Sequence, residues 1–161
     1  MTRPMNSADR WLDGMARVAM WVAAAGLVLM TAVIGWQVFG RKVLNASPAW
    51  SESLALLLML YFVLLASAAG VREGFHLRFR LIDDVLSDGA ATLVRRVVNL
   101  GVAAFGVLMT VNGIALANFT AGHLIPTLGV SRAVAYWPFV IAGALITVFA
   151  ADNAFRDRLA R

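Results

Sequence analysis

The chain has no cysteine, which excludes disulfides, thiolate metal sites and thiol catalysis. Charge is nearly as scarce. Only 14% of the 161 residues are Asp, Glu, Lys or Arg, against 61% hydrophobic residues, and soluble domains carry about 25% charged residues. An integral membrane protein is the class that remains. The net charge of +5 would suggest a nucleic-acid partner in a soluble protein. Here the basic residues cluster beside apolar runs, where they act as topology signals, so no nucleic-acid partner is expected. The chain has two histidines, His76 and His123, which fall on opposite membrane sides in the topology below. With no cysteine and no helix-paired histidine to complete a site, no metal, haem or other cofactor is expected. A nucleophile–base pair, a Walker loop and a dinucleotide-binding turn are all missing, so no enzyme activity is expected either.

Four long uncharged runs are present. The stretch Ser47–His76 organises the rest: Ser-Pro-Ala-Trp-Ser-Glu opens an uncharged run from Ser53 to Val71, closed by Arg72, Glu73 and His76. Nineteen helical residues span about 28 Å, close to the hydrocarbon thickness of a bilayer. The expected fold is an all-α integral membrane protein forming one membrane unit over residues 1–161, with spans at about 18–40, 53–71, 97–119 and 133–151. No sizeable soluble domain is expected beside them. Residues 1–17 read as a short amphipathic lead-in near the headgroups or as a solvated tail. The 23-residue run that follows is too long for the core of a cleavable signal. Trp21, Trp36, Tyr136 and Trp137 sit at depths suited to the interfacial aromatic belt.

Between the second and third spans, Phe75, Leu77, Phe79, Leu81 and Ile82 alternate with polar residues. The alternation fits a strand, but without sheet partners a cytoplasmic interfacial amphipathic arm is the preferred expectation. Ser87-Asp88 supplies a helix cap, so the third helix is expected to begin near Gly89. Val97–Ser131 has no charge over 35 residues, too long for one span; Gly122, Pro126 and Gly129 break it. The resulting apolar loop should be covered by something.

Counting Lys and Arg, the N-terminal stretch has three, the first loop two, the central loop five, the third loop one and the C-terminal tail three. Eleven of the fourteen thus fall on one side, and the positive-inside rule places both termini and the central loop in the cytoplasm. None of the four spans carries an ionisable residue at mid-depth, where an autonomous ion-coupled transporter needs one. Thr31, Gln37, Ser67, Asn99, Thr110, Asn112 and Thr147 suit helix-to-helix hydrogen bonds instead. The small-residue stripes Ala66/Gly70, Gly113/Ala117 and Gly143/Thr147/Ala151 fit either ordinary packing or a surface for another membrane protein. Glu52 reads equally as a carboxylate favoured by the helix dipole and as the partner of Arg41 or of a cation on another protein. Arg72 at the helix end is expected to snorkel. His76 is read as an interfacial polar residue rather than a proton switch.

Trp50-Ser51-Glu52 opening the second span, Arg72, Gly74 and His76 closing it, and Ile125-Pro126 with Leu128-Gly129 before Tyr136 and Pro138 together resemble the small membrane subunit (DctQ-like small permease) of tripartite ATP-independent periplasmic (TRAP) transporters. The resemblance covers nearly the whole chain. It implies a bacterial inner-membrane scaffold beside a large multi-span transport subunit, which carries an organic acid inward on a sodium gradient after a periplasmic binding protein delivers it. It also implies partner contacts at Trp50 and Glu52 on the periplasmic end, and an anchoring role for Arg72 and His76 on the cytoplasmic end. Arg41, Arg78, Pro126, Arg132 and Tyr136 complete the set of candidate interface residues. Ser53 stands where a second acidic residue is common, and Arg80 where an Asp often follows the histidine, so salt bridges through those positions are not carried over. A stand-alone homodimeric exporter and a membrane anchor of another complex are the alternatives. The first lacks an embedded carboxylate, since Glu52 lies at the edge, and the second lacks axial ligands. Glu52→Ala is expected to weaken recovery of the complex or substrate uptake; unchanged values of both would remove the inter-subunit role of Glu52.

Overall fold

The computed structural model describes residues 7–46, 48–73 and 88–155. His76, Arg78, Arg80, the proposed interfacial arm and the C-terminal arginines lie outside the described residues. Four helices in the rest are long and apolar enough to cross a membrane.

Helix α1 runs Ser7–Val43, α2 Ala49–Glu73, α3 Asp88–Thr120 and α4 Trp137–Phe155. Their ends follow local chemistry. Asp9 in the first turn of α1 and Arg41 and Lys42 in its last turn complement the helix dipole, as do Glu52 and Arg72 in α2. Pro48 precedes α2, and its carbonyl accepts from both the Ser51 backbone N–H (3.2 Å) and the Ser51 hydroxyl (2.7 Å). Pro138 occupies the opening turn of α4, where a missing N–H costs nothing.

Two boundaries differ from the sequence expectation. From Ser7 onward the described part of the lead-in is continuous with α1, so the helix starts well before the span expected from residue 18. Likewise α4 continues past Ala151 through Asp152 to Phe155. On α4 the charge taken as the end of the span, Asp152, is accommodated inside the helix because Arg72 pairs with it. Among the described residues the fold is all-helical apart from one short hairpin between α3 and α4. Leu124–Ile125 (β1) and Val130–Ser131 (β2) pair antiparallel, with Leu124 opposite Ser131 and Ile125 opposite Val130. Pro126 takes the second position of a turn closed by Leu128 N–H to Ile125 C=O (3.1 Å), and Gly129 adopts φ +67°, a left-handed conformation that favours glycine. A 3-10 turn, Arg132–Ala135, then leads into α4, with Ser131 Oγ accepting from Ala133 N–H at 3.2 Å.

The helices stand in an open row in the order α1, α2, α4, α3, each packing mainly on its neighbour. The edge helices therefore keep broad apolar faces, including Trp21, Val28 and Leu29 on α1 and Phe105, Leu108 and Val111 on α3. The buried centre is rich in alanine: Ala16, Ala19, Ala23, Ala68, Ala69, Ala142 and Ala150 surround Phe149. Small side chains are what bring helices close when lipid supplies no hydrophobic drive between them.

The tightest approach joins α3 to α4. A Cβ at Gly106 would lie 2.8 Å from Gly143 O and 2.5 Å from Thr147 Oγ1, and one at Gly143 would lie 2.8 Å from Gly106 O. The Gly143/Thr147 stripe is thus used within the chain, and Gly113 likewise faces Val140. Most membrane-depth hydroxyls and amides bond to their own helix: Thr31 to Leu27, Ser67 to Val63, Thr110 to Gly106 and Asn112 to Leu108. Only Thr147 among the expected set reaches across, to Ala103 O at 3.4 Å. The others sit where the carbonyl four residues back is nearer than any neighbouring helix. Gly106→Ala is expected to lower the apparent unfolding free energy in mixed micelles by about 1–3 kcal/mol, because backbone rather than a flexible side chain blocks the added methyl.

Candidate functional site

One end of the row, where α1 begins and α2 and α4 finish, holds a buried ionic cluster. Arg72 ends α2 with its side chain 3% exposed. Its Nε donates to Asp13 Oδ1 at 2.9 Å, its Nη2 lies 2.7 Å from the same oxygen, and its Nη1 donates to Asp152 Oδ2. Arg72 therefore does not snorkel. A guanidinium removed from water needs carboxylates at hydrogen-bonding range, and α1 and α4 each bring one. The helix dipoles divide the cost. Arg72 in the last turn of α2 is favourably placed, whereas Asp152 in the last turn of α4 is not and is compensated by its pair with Arg72. Next to it, Asn153 Nδ2 donates to Val71 O at 2.8 Å, satisfying one of the carbonyls that α2 leaves open at its C-terminus. Three of the four helices are thus clamped at one level. A cavity of about 560 Å³ beside the cluster is lined by Asp13, Arg17, Trp21, Arg72 and Glu73. Its two cations and two carboxylates balance.

The opposite end of the row gathers most of the other residues singled out from sequence. Arg41 closes α1; Trp50 and Glu52 open α2, all three exposed. Among the described residues no ion pair joins Glu52 to Arg41. Pro126 and Arg132 are exposed around the hairpin, and Tyr136 is half-buried with its ring 6.5 Å from Phe139. Ser53 Oγ hydrogen-bonds to Thr127 Oγ1 (2.7 Å) and Tyr61 Oη donates to Val134 O (3.0 Å), so α2 holds the hairpin and the 3-10 turn. The apolar loop is partly covered from within. His123 is exposed, and its carbonyl accepts from Arg132 N–H at 2.8 Å. His76 and Arg78 lie outside the described residues.

The family model for "Tripartite ATP-independent periplasmic transporters, DctQ component" matches residues 30–160. The chain belongs to this family. It is also similar to the sialic acid TRAP transporter small permease protein SiaQ of Vibrio cholerae serotype O1 (strain ATCC 39315 / El Tor Inaba N16961), with 25% identity over 129 residues, 80% of this chain and 75% of the relative. This DctQ-family chain is thus a TRAP small permease subunit, a transporter component with four helices able to cross the membrane. The family match takes in Arg72 and Asp152 and begins after Asp13.

Sequence reasoning missed Asp13 and Asp152. A signal for Asp13 existed: Ala16, Ala19 and Ala23 form one buried small-residue face of α1, and Asp13 lies one turn back along it. For Asp152 the signal was its place two residues after the buried Ala150 and beside the buried Asn153. Among the described residues no group of three or more His, Cys, Asp or Glu could hold a metal. What the cluster can do chemically is fix charge and geometry. Arg72→Ala is expected to cost about 3–5 kcal/mol in mixed micelles by removing the buried guanidinium that ties both carboxylates to α2. Asp152→Asn should cost more than Asp13→Asn, since the Asp13 side chain is 36% exposed against 11% for Asp152 and water screens it. Equal losses would show that the two pairs are equally buried in the native protein.

Proposed function

We infer that this chain is the non-catalytic scaffold of a TRAP transporter. It holds the large multi-span membrane subunit, which takes up an organic acid on a sodium gradient after a periplasmic binding protein delivers it. The observation that carries this reading is the open row: α1, α2 and α4 are tied together at one end while, among the described residues, the flanks of the row stay apolar and unpacked. Such a row offers surface for a membrane neighbour. Its described spans carry no charge at mid-depth with which to move an ion. Sialic acid, named for the relative, is itself an organic acid and supports that substrate class.

The whole chain acts as one membrane unit in the bacterial inner membrane. The Lys and Arg distribution supports cytoplasmic termini and a cytoplasmic central loop, which puts the hairpin end in the periplasm. There Arg41, Trp50, Glu52, Pro126, Arg132 and Tyr136 form the rim that meets the large subunit or the docked binding protein. His76 and Arg78 serve the cytoplasmic side. Arg72 is withdrawn from the candidate interface because its charge is used within the chain.

The test is co-purification. The tagged chain is expressed with its genomic neighbours, solubilised gently, and its companions are identified by mass. A stoichiometric large membrane subunit is the expected result, together with sodium-dependent organic-acid uptake that needs this chain. A homodimer alone, with no neighbouring genes for a large multi-span protein and a binding protein, would overturn the reading in favour of a stand-alone exporter.

A further inference from the structure

Hydroxyls inside a membrane helix can satisfy their donor by bonding to the carbonyl one turn back, as Thr31 and Ser67 do. An amide has more to satisfy. Asn112 donates once, to Leu108 O at 2.7 Å, and among the described residues makes no other hydrogen bond, so its Oδ1 and second N–H are unused there although the residue is exposed. It precedes the end of α3 at Thr120 by eight residues, which sets it about 12 Å from that end. The other exposed amides among the described residues, Asn45 and Asn118, lie in a loop and in the last turn of α3, within reach of water.

Asn112 also lines a groove. Phe105, Leu108, Asn112 and Leu116 form a stripe along α3 at helical spacing, with Tyr136 and Phe139 on the opposite wall, around a cavity of about 260 Å³. Gly113 draws the walls together: a Cβ there would meet Val140 Cγ2 at 3.0 Å and Phe139 Cβ at 3.4 Å. The stripe covers about 16 Å, three helical turns. Acyl chains fill an apolar groove, yet they offer no partner to an amide at this depth.

We propose that the groove between α3 and α4 receives a transmembrane helix of the large membrane subunit, which presents a hydrogen-bonding side chain to the Asn112 amide. The aromatic and leucine walls give the helix its packing surface, and Asn112 sets its register. This rests on the scaffold reading above and names the face through which it operates.

Two measurements test it with the full chain co-expressed with the large subunit. Asn112→Leu, which keeps the side-chain volume and removes the amide, is expected to reduce recovery of the large subunit about three- to tenfold, the range for one hydrogen bond inside a membrane. Asn112→Gln should restore part of it. Because the chain has no cysteine, Leu108→Cys and Leu116→Cys are single-thiol variants that keep Asn112. Labelled with a thiol-reactive photo-crosslinker, both should link to the large subunit in native membranes. Unchanged recovery with Asn112→Leu overturns the amide contact, and thiols that link to a second copy or to nothing overturn the groove as the docking face. Either can happen while the wild-type chain still recovers its large subunit, which leaves the scaffold reading standing. If the wild-type chain recovers none, both fall.

Discussion

Arg72 sits between Asp13 and Asp152 in a place where water cannot solvate it, and one end of the helix row depends on that arrangement. A guanidinium in such surroundings is tolerable only while both carboxylates are held in reach, so the start of α1 and the ends of α2 and α4 cannot drift apart independently. The consequence extends along the helices. With three axes tied at one end, alanines at 16, 19 and 23 meet those at 68 and 69, and Phe149 is enclosed by the same layer. The Asn153 bond to the Val71 carbonyl repeats the tie one residue further on.

At the α3–α4 contact the constraint is of another kind. Gly106 and Gly143 let the two backbones approach to a distance that no side chain would permit, and close packing replaces ionic ties. The hairpin end has a third device, hydroxyl contacts from α2 to the hairpin and the 3-10 turn. Each device suits its place. Paired charges serve at one end of the row; backbone proximity serves midway along α3 and α4; hydroxyl bonds serve under a loop that would otherwise expose apolar residues.

This division bears on function. A chain that commits its buried charges to holding itself together has none left in its described spans to carry an ion, which agrees with a supporting role within a TRAP transporter. The open row also differs from a closed bundle in what it leaves outside: long apolar flanks and one amide at depth. Those flanks are surface for lipid and neighbouring protein, and only a neighbour with a polar side chain can answer the amide.

The sequence by itself determined the membrane class, the four helices, and the break at Pro126 and Gly129. These follow from run length, charge and helix-breaking residues, which are local properties. The motif Trp50 to Glu52 with Arg72 and the Ile125 to Pro138 pattern was also enough for the family resemblance. Only the tertiary structure decided the helix order, the partners of Arg72, and which glycines face each other. The reason is that Asp13 and Asp152 are 139 positions apart and each looks, in its own neighbourhood, like an ordinary charge at the edge of an apolar run. Their meaning comes from a third residue on another helix, and that proximity exists only after packing.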